Sequence, residues 1–289
     1  SAPILFRYVS ALNALKDYPQ AQSVLQQALA LAPQNREIKA NLIRVAAEIG
    51  GVEAGLVEAR GLAKKDPDNP IYDLISANLL EKAGRGKEAI GLLEHDLAIK
   101  PSKDDVRAAL AGLYQRSGDA AKAEALLEER LKNDPANYAV GSALASLYLE
   151  GKNYDAAIVE YERLLASHPN NPPALNNLAW LYQQKGDLNK AQQLAQLAAA
   201  AAPNAAQIDD TLGWILLAQG NTWKAVTYLT AANVSAPADP AIAYHLAVAL
   251  HRAGRAADAQ AMLEKLLGTG ASFADKPEAE KLLAEIKHS

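Results

Sequence analysis

Residues 175–203 read LNNLAWLYQQKGDLNKAQQLAQLAAAAAP, and this stretch decides the fold of the chain. Apolar residues recur three and four positions apart up to Gly186, which predicts a first amphipathic helix that ends at the glycine. Asp187 offers a side-chain oxygen to the free amides of a second helix, and Pro203 ends that helix. Small residues such as Ala191 let the two helices approach closely. The stretch therefore predicts a helix-turn-helix unit.

The unit recurs with a period of 34 residues. Seven prolines keep this period: Pro33, Pro67, Pro101, Pro135, Pro169, Pro203 and Pro237. Because proline is about one residue in twenty, six successive matches would arise by chance roughly once in ten million trials or less. A column of small residues has the same period: Ala21, Gly55, Ala89, Ala123, Ala157, Ala191, Ala225 and Ala259. The period indicates an internal repeat.

A column of glycines marks the predicted end of the first helix in most repeats. Its members are Gly50, Gly84, Gly118, Gly186, Gly220 and Gly254, with a slip of one residue at Gly151. Asp119, Asp187 and Asn221 follow the glycine and are predicted to cap the second helix.

Counting back from the prolines divides the chain into eight repeats. They lie near residues 2–35, 36–69, 70–103, 104–137, 138–171, 172–205, 206–239 and 240–273, and the first is degenerate in its opening helix. Residues 276–288 place Leu282, Leu283 and Ile286 on one side of a further helix. We predict that this helix caps the last repeat.

Composition agrees with helices and excludes several function classes. Half of the 289 residues are hydrophobic, mainly Ala and Leu, whereas aromatic residues make up 6%, so an all-α fold is expected. The formal charge of −4 gives no basic field for nucleic acid. The absence of cysteine removes disulfides and thiolate metal sites, but it leaves the cytoplasm and the periplasm both open.

Three further columns keep the period: Leu110, Leu144, Leu178, Leu212 and Leu246; the small residues Ala111, Ala145, Ala179, Gly213 and Ala247 that follow them; and Tyr114, Tyr148 and Tyr182. Together with the alanine and proline columns, they closely resemble the tetratricopeptide repeat. This resemblance implies a right-handed α-solenoid whose first helices line a concave surface. In the second half, NNLAWLYQQKGD (176–187), IDDTLGWILLAQG (208–220) and PAIAYHLAVALHRAGR (240–255) follow in adjacent repeats. Over residues 170–289, this order resembles the tetratricopeptide-repeat lipoproteins associated with PEP-CTERM protein sorting and exopolysaccharide loci of Gram-negative bacteria.

The closer resemblance implies a compartment and an anchor. It leads us to expect a periplasmic fragment of an outer-membrane lipoprotein, whose lipid-bearing cysteine lies upstream of Ser1. No segment approaches the roughly 18 apolar residues of a membrane span, so contact with a membrane is expected only through that anchor. A cytoplasmic location is the alternative.

Candidate catalytic and cofactor motifs have simpler interpretations. His245 and His251 are six residues apart, which does not place both imidazoles on one metal ion. The stretch 84–89, GRGKEA, imitates a dinucleotide fingerprint, but it follows a helix and the repeat accounts for its glycine and alanine. Asp209 and Asp210 diverge by about 100° on a helix, which makes joint acid-base work improbable. We therefore expect no enzyme, metal or cofactor.

The candidate binding residues are inward-facing positions that the repeat itself does not require. In the last three repeats they combine amides, aromatic rings and charged groups: Asn176, Trp180, Gln183, Asp210, Trp214, Tyr244, His251 and Arg252. Two indoles 34 residues apart suit a peptide chain or a sugar ring. The alternative is that one or both indoles fill the gap between adjacent repeats.

We therefore expect a protein-binding scaffold in an envelope assembly for exopolysaccharide export or PEP-CTERM protein sorting. The expected partner is a protein or peptide in the concave groove, and a polysaccharide is a second candidate. The alternative function is a cytoplasmic adaptor or co-chaperone that clamps the C-terminal carboxylate of a partner. The basic residues of such a clamp are missing from the matching columns, where Ala40, Ala108 and Asp105 stand.

Overall fold

The computed structural model describes residues 2–288, and the side chains of residues 4–288. Within this range the chain forms sixteen helices and no strand, which confirms the predicted all-α solenoid class. In chain order the helices are α1 (Ala2–Ala14), α2 (Tyr18–Leu31), α3 (Arg36–Ala63), α4 (Ile71–Lys82), α5 (Gly86–Ile99), α6 (Asp104–Arg116), α7 (Ala120–Asn133), α8 (Tyr138–Glu150), α9 (Tyr154–Ser167), α10 (Pro172–Gln184), α11 (Leu188–Ala201), α12 (Ala206–Ala218), α13 (Thr222–Ser235), α14 (Pro240–Arg252), α15 (Ala256–Gly268) and α16 (Lys276–His288).

The chain divides into two compact units, Ser1–Leu147 and Tyr148–Ser289, with the boundary inside α8. From α1 to α7 in the first unit and from α9 to α16 in the second, each helix packs against the next one along the chain. In the second unit α10 also contacts α12, and α12 contacts α14, so the first helices of successive pairs are neighbours. This arrangement places the candidate binding residues of the second unit on adjacent helices.

The turn inside each helix pair depends on one left-handed residue. Five glycines of the column adopt a positive φ, between 75° at Gly84 and 91° at Gly118, which a residue without a Cβ adopts at little cost. Where the glycine slips to position 151, Lys152 takes the left-handed conformation instead, with φ 57°. In the repeat that contains Gly50, the left-handed residue is the next one, Gly51, with φ 74°. Helix α3 is kinked at this position.

The predicted caps form in only some of the pairs. Asp187 accepts a hydrogen bond from the amide of Lys190 and caps α11. Asp119 makes no capping hydrogen bond, and its carboxylate instead lies 3.5 Å from Lys122 Nζ. Asn221 also makes no side-chain capping bond, and nothing in the structure explains this difference.

The small-residue column lies in the tightest part of the core. Its seven alanines are completely buried: Ala21, Ala89, Ala123, Ala157, Ala191, Ala225 and Ala259. The interruption at Gly55 has a physical reason, because a Cβ there would lie 2.8 Å from Leu79 Cδ1. The small-residue column therefore marks the positions at which two helices come closest.

The last helix covers the apolar side of the final pair. Ala279 and Ile286 of α16 are buried in one cluster with Leu263 of α15. Leu282 and Leu283 pack against the same cluster, and Lys287 Nζ lies 2.9 Å from a carboxylate oxygen of Glu264. Most charged side chains of α16 are exposed, so the helix presents a polar surface on its outer side.

In the described part of the chain, the helices lack the combination of length and apolar composition that a membrane span requires.

Candidate functional site

The first helices of the second unit carry all eight predicted binding residues. They are Asn176, Trp180 and Gln183 on α10, Asp210 and Trp214 on α12, and Tyr244, His251 and Arg252 on α14. On each helix the main spacings are three, four and seven residues, which place the side chains on one face. We call the surface made by these eight residues the first-helix face.

His245 joins α12 to α14 at the centre of this face. Its imidazole stacks on the indole of Trp214, with ring centroids 4.1 Å apart and ring planes inclined by 21°. Its Nδ1 lies 2.8 and 2.9 Å from the two carboxylate oxygens of Asp210. The structure therefore brings Asp210 and Trp214 together through His245, which the predicted set of binding residues does not include.

The position of His245 has a signal in the sequence that becomes readable once the packing is known. His245 follows Asp210 by 35 residues and Trp214 by 31. One repeat is 34 residues, so these offsets place His245 on the next first helix, one residue after the level of Asp210 and three before that of Trp214. A side chain one helix away can reach both, because adjacent first helices are in contact.

Trp214 has a structural role as well as an accessible edge. It is partly buried and packs against the apolar cluster that includes Leu212, Leu216 and Leu246. Trp180 is also partly buried, and its ring meets Tyr154 of α9 edge to face, with centroids 5.7 Å apart. Both indoles therefore contribute to packing without being closed off from solvent.

Three polar atoms of the face lack hydrogen-bond partners. Asn176 Oδ1, Gln183 Oε1 and His251 Nδ1 are enclosed by protein, and none of them bonds to a residue that the structure describes. Asn176 and Gln183 lie seven residues apart on α10, roughly 10 Å along the helix axis, with Trp180 between them. An enclosed polar atom without a partner costs free energy, and a ligand can satisfy it once the side chain rotates toward the surface.

Tyr244 and Arg252 lie at the end of the face near α16. The Tyr244 ring is tilted against Phe273 at a centroid distance of 6.5 Å. Burial raises the pKa of the Tyr244 phenol, the charges of Asp275 and Glu278 raise it further, and Arg252 opposes them. Arg252 is exposed and makes no ion pair with a described residue.

The charges of these three helices are unusually few. Helix α10 carries no charged residue, α12 carries only Asp209 and Asp210, and Arg252 at the last position is the single Lys or Arg of α14. The first helices α4 and α6 of the other unit mix both signs of charge. Among the described residues, no cluster of three or more His, Asp or Glu side chains could hold a metal ion.

Asp209 is a buried carboxylate without a partner. Its residue is 6% exposed, and it forms no ion pair or side-chain hydrogen bond with a described residue. At the equivalent position of other repeats, Lys39 pairs with Asp66 at 3.0 Å and Asp73 with Lys103 at 3.0 Å. Burial raises the pKa of the Asp209 carboxyl. The carboxylate form therefore opposes folding.

Replacing Asp209 with Asn is expected to raise the free energy of unfolding by about 1 to 2 kcal/mol near neutral pH. A raised pKa means that the folded state binds the proton more readily than the unfolded state. The gain in the free energy of unfolding is therefore complete at pH values above the pKa of Asp209 in the folded state. It disappears at pH values below the usual Asp pKa of about 4. Urea denaturation at neutral and at acidic pH measures it.

The control for this prediction is Asp258→Asn, which removes the same charge from an exposed pair on α15 with Arg255. It is expected to change stability by less than about 0.5 kcal/mol. A gain at Asp209 that persists unchanged at acidic pH would show that charge burial is not its cause.

Comparison with known proteins gives a single family. Residues 12–79, 80–147, 148–215 and 216–286 each match a family model described as tetratricopeptide repeat. No curated protein matches the chain.

Similar solved structures have the same kind of fold. A tetratricopeptide repeat protein from Parabacteroides merdae ATCC 43184 has a TM-score of 0.55 at 18% identity, over 86% of this chain and 98% of that chain. A chain of the APC/C hetero-tetramer Cut9-Hcn1 has a TM-score of 0.64 at 15% identity, over 99% of this chain and 56% of that chain. PilF of Pseudomonas aeruginosa has a TM-score of 0.53 at 20% identity, over 63% of this chain and 88% of that chain. At these identities the likeness extends to the fold alone.

Proposed function

The chain belongs to the tetratricopeptide repeat family, and from this premise we propose that it is a non-catalytic scaffold that binds a protein segment on its first-helix face. The observation that carries the proposal is the coincidence of partly accessible indoles with unpartnered polar atoms. Trp180 lies between Asn176 and Gln183, whose amide oxygens have no partner. Aromatic anchors beside unsatisfied polar groups are typical of binding surfaces.

The proposal extends to the cellular setting. We propose a periplasmic protein of a Gram-negative envelope assembly that exports exopolysaccharide or sorts PEP-CTERM proteins, held at the outer membrane by an upstream lipid anchor. The support is the order of motifs in residues 170–289. Fractionation of cells and mass spectrometry of the native N-terminus test it, since a lipid-modified cysteine is expected there and recovery of the protein from the cytoplasm would contradict it.

The first-helix face argues against a carboxylate clamp of the adaptor type. A clamp for a C-terminal carboxylate needs cationic side chains, whereas α10 and α12 carry none. A polysaccharide remains a second candidate partner, because indole faces also stack on sugar rings. Competition between a bound peptide and oligosaccharides distinguishes the two kinds of partner.

Replacing Trp180 with Ala is expected to weaken partner binding by about 2 kcal/mol, a loss of roughly thirtyfold in affinity. Truncation removes an aromatic anchor between two polar groups, while the loss of folding stability is smaller because the indole is only partly buried. Trp214→Ala is expected to show a similar loss, together with lower stability from its core contacts. Isothermal titration calorimetry with the partner gives the affinities.

The matched control is Trp223→Ala on the second helix α13, where the indole is 79% exposed. It removes an equally large side chain away from the face, and binding is expected to stay within about twofold of wild type. Equal losses for Trp180 and Trp223 would place the partner elsewhere.

A further inference from the structure

The unsatisfied atoms of the first-helix face are mostly hydrogen-bond acceptors. Asn176 Oδ1 and Gln183 Oε1 are enclosed and without a donor. Rotation of a side-chain amide about its terminal torsion brings such an oxygen to the surface, and it breaks no hydrogen bond that the described residues make. After such a rotation the two amides can present acceptor oxygens to a ligand that carries N–H donors.

The two charged groups of this face lie on different helices, Asp210 on α12 and Arg252 on α14. Asp210 lies at the centre of the face, and Asp209 is its neighbour on α12. A hydrogen bond that His245 Nδ1–H donates to Asp210 fixes the position of the carboxylate. Arg252 is at the last residue of α14, on the side of Tyr244 and away from α10.

The stack of His245 on Trp214 shows the kind of group that fits between an indole and a carboxylate. A flat, nitrogen-bearing ring lies against the indole at 4.1 Å and meets Asp210 through a ring nitrogen. A guanidinium has the same features: it is planar, stacks on aromatic rings and bonds to carboxylates through its edge. It also has five N–H donors, which suit the acceptor oxygens that the rotated amides of Asn176 and Gln183 can present.

We propose that the first-helix face selects a partner segment through arginine side chains, with Trp180 as the accessible indole and Asn176, Gln183 and Asp210 as the acceptors. This inference rests on the proposed function and specifies its partner class. The aromatic face attracts the cation, and the carboxylate adds charge complementarity. The Asp210 carboxylate disfavours acidic segments by like-charge repulsion.

Selection from a random peptide library displayed on phage tests the proposal with the full 289-residue chain as bait. Arginine is expected to be enriched at least about threefold in the selected peptides over the starting library. Selection of neutral, acidic or lysine-only peptides would overturn the arginine assignment and leave the proposed function standing. Selection of no peptide above the background of the Trp180→Ala variant would overturn both.

A selected peptide then tests whether the charge of the arginine side chain or its shape determines binding. Citrulline replaces the guanidinium with a neutral urea of nearly the same size, and fluorescence anisotropy is expected to show about tenfold weaker binding of the citrulline peptide. Changing the peptide leaves the fold of the protein untouched, so a misfolded variant cannot imitate this result. Equal binding of the two peptides would refute the role of the cation.

A matched pair of protein variants locates the effect. Asp210→Asn keeps the shape of the side chain, and it is expected to weaken the arginine peptide about fivefold and the citrulline peptide much less. Asp155→Asn removes the same charge from α9, where the side chain is 82% exposed, and is expected to leave binding within about twofold. If Asp155→Asn and Asp210→Asn weaken binding equally, the attraction is a property of net charge and the proposed site is wrong.

Discussion

Replacing Ala191 with Arg is expected to lower the free energy of unfolding by about 2 to 4 kcal/mol. Ala191 is completely buried in α11, within the cluster that also holds Ala179 and Leu212. A long charged side chain has no room there, so it must either lose its hydration or push the helices apart. Urea denaturation followed by circular dichroism measures the loss, and a melting temperature several degrees lower is expected with it.

Ala200→Arg is the matched control, because Ala200 lies on the same helix and is exposed. Its effect is expected to stay within about 0.5 kcal/mol, since Arg is a good helix former and a surface change touches no packing. Ala157→Arg repeats the test at the equivalent position of the preceding repeat, where the alanine is also completely buried. Wild-type stability in the Ala157 and Ala191 variants would mean that the alanine column does not mark helix contacts.

The fold could be predicted from the sequence because one contact pattern repeats every 34 residues. Each column combines seven or eight samples of the same local environment, so a single exception does not hide the pattern. Gly55 interrupts the alanine column, yet it lies at an equally close helix contact. Gly151 lies one residue before the position that the period predicts, but the turn itself is not shifted. Lys152 takes the left-handed conformation at the regular position.

The pairing inside the candidate site was harder to predict. A repeat pattern says which residues face inward, but it does not say which side chains on neighbouring helices touch. These contacts depend on the offset between adjacent helices. Because of this offset, His245 reaches both Asp210 and Trp214. The sequence relates His245 to His251 on its own helix, and it does not indicate the contact with the preceding first helix.

Buried polar atoms without partners are also invisible in a sequence. The sequence places Asn176 and Gln183 at inward-facing positions that the repeat itself does not require. Whether an amide at such a position finds a partner depends on atoms a few ångströms away. The lack of a donor for Asn176 Oδ1 and Gln183 Oε1 emerges only from the packing of α10. The same holds for Asp209, which lacks the lysine that Asp73 finds in Lys103.

Deleting residues 276–289 is expected to have the largest effect on the second unit. Ile286 is 9% exposed, and Leu282 and Leu283 pack against the cluster that contains Leu263. Full burial of each such side chain contributes about 1.5 to 3 kcal/mol, so the deletion should remove about 4 kcal/mol or more from the end of the unit. The uncovered apolar surface of α15 should also promote self-association.

Two measurements test whether α16 stabilises the preceding helices. Amide hydrogen exchange of residues 240–267 should lose protection after the deletion, because stacked helix pairs depend on their neighbours for stability. Light scattering should show dimers or larger species. Ile286→Ala should reproduce part of the loss, whereas Glu280→Ala, on an exposed position of α16, should not. A monomeric deletion variant with unchanged exchange would show that α14 and α15 are stable without α16, and that the contacts of Ile286 contribute little to the fold.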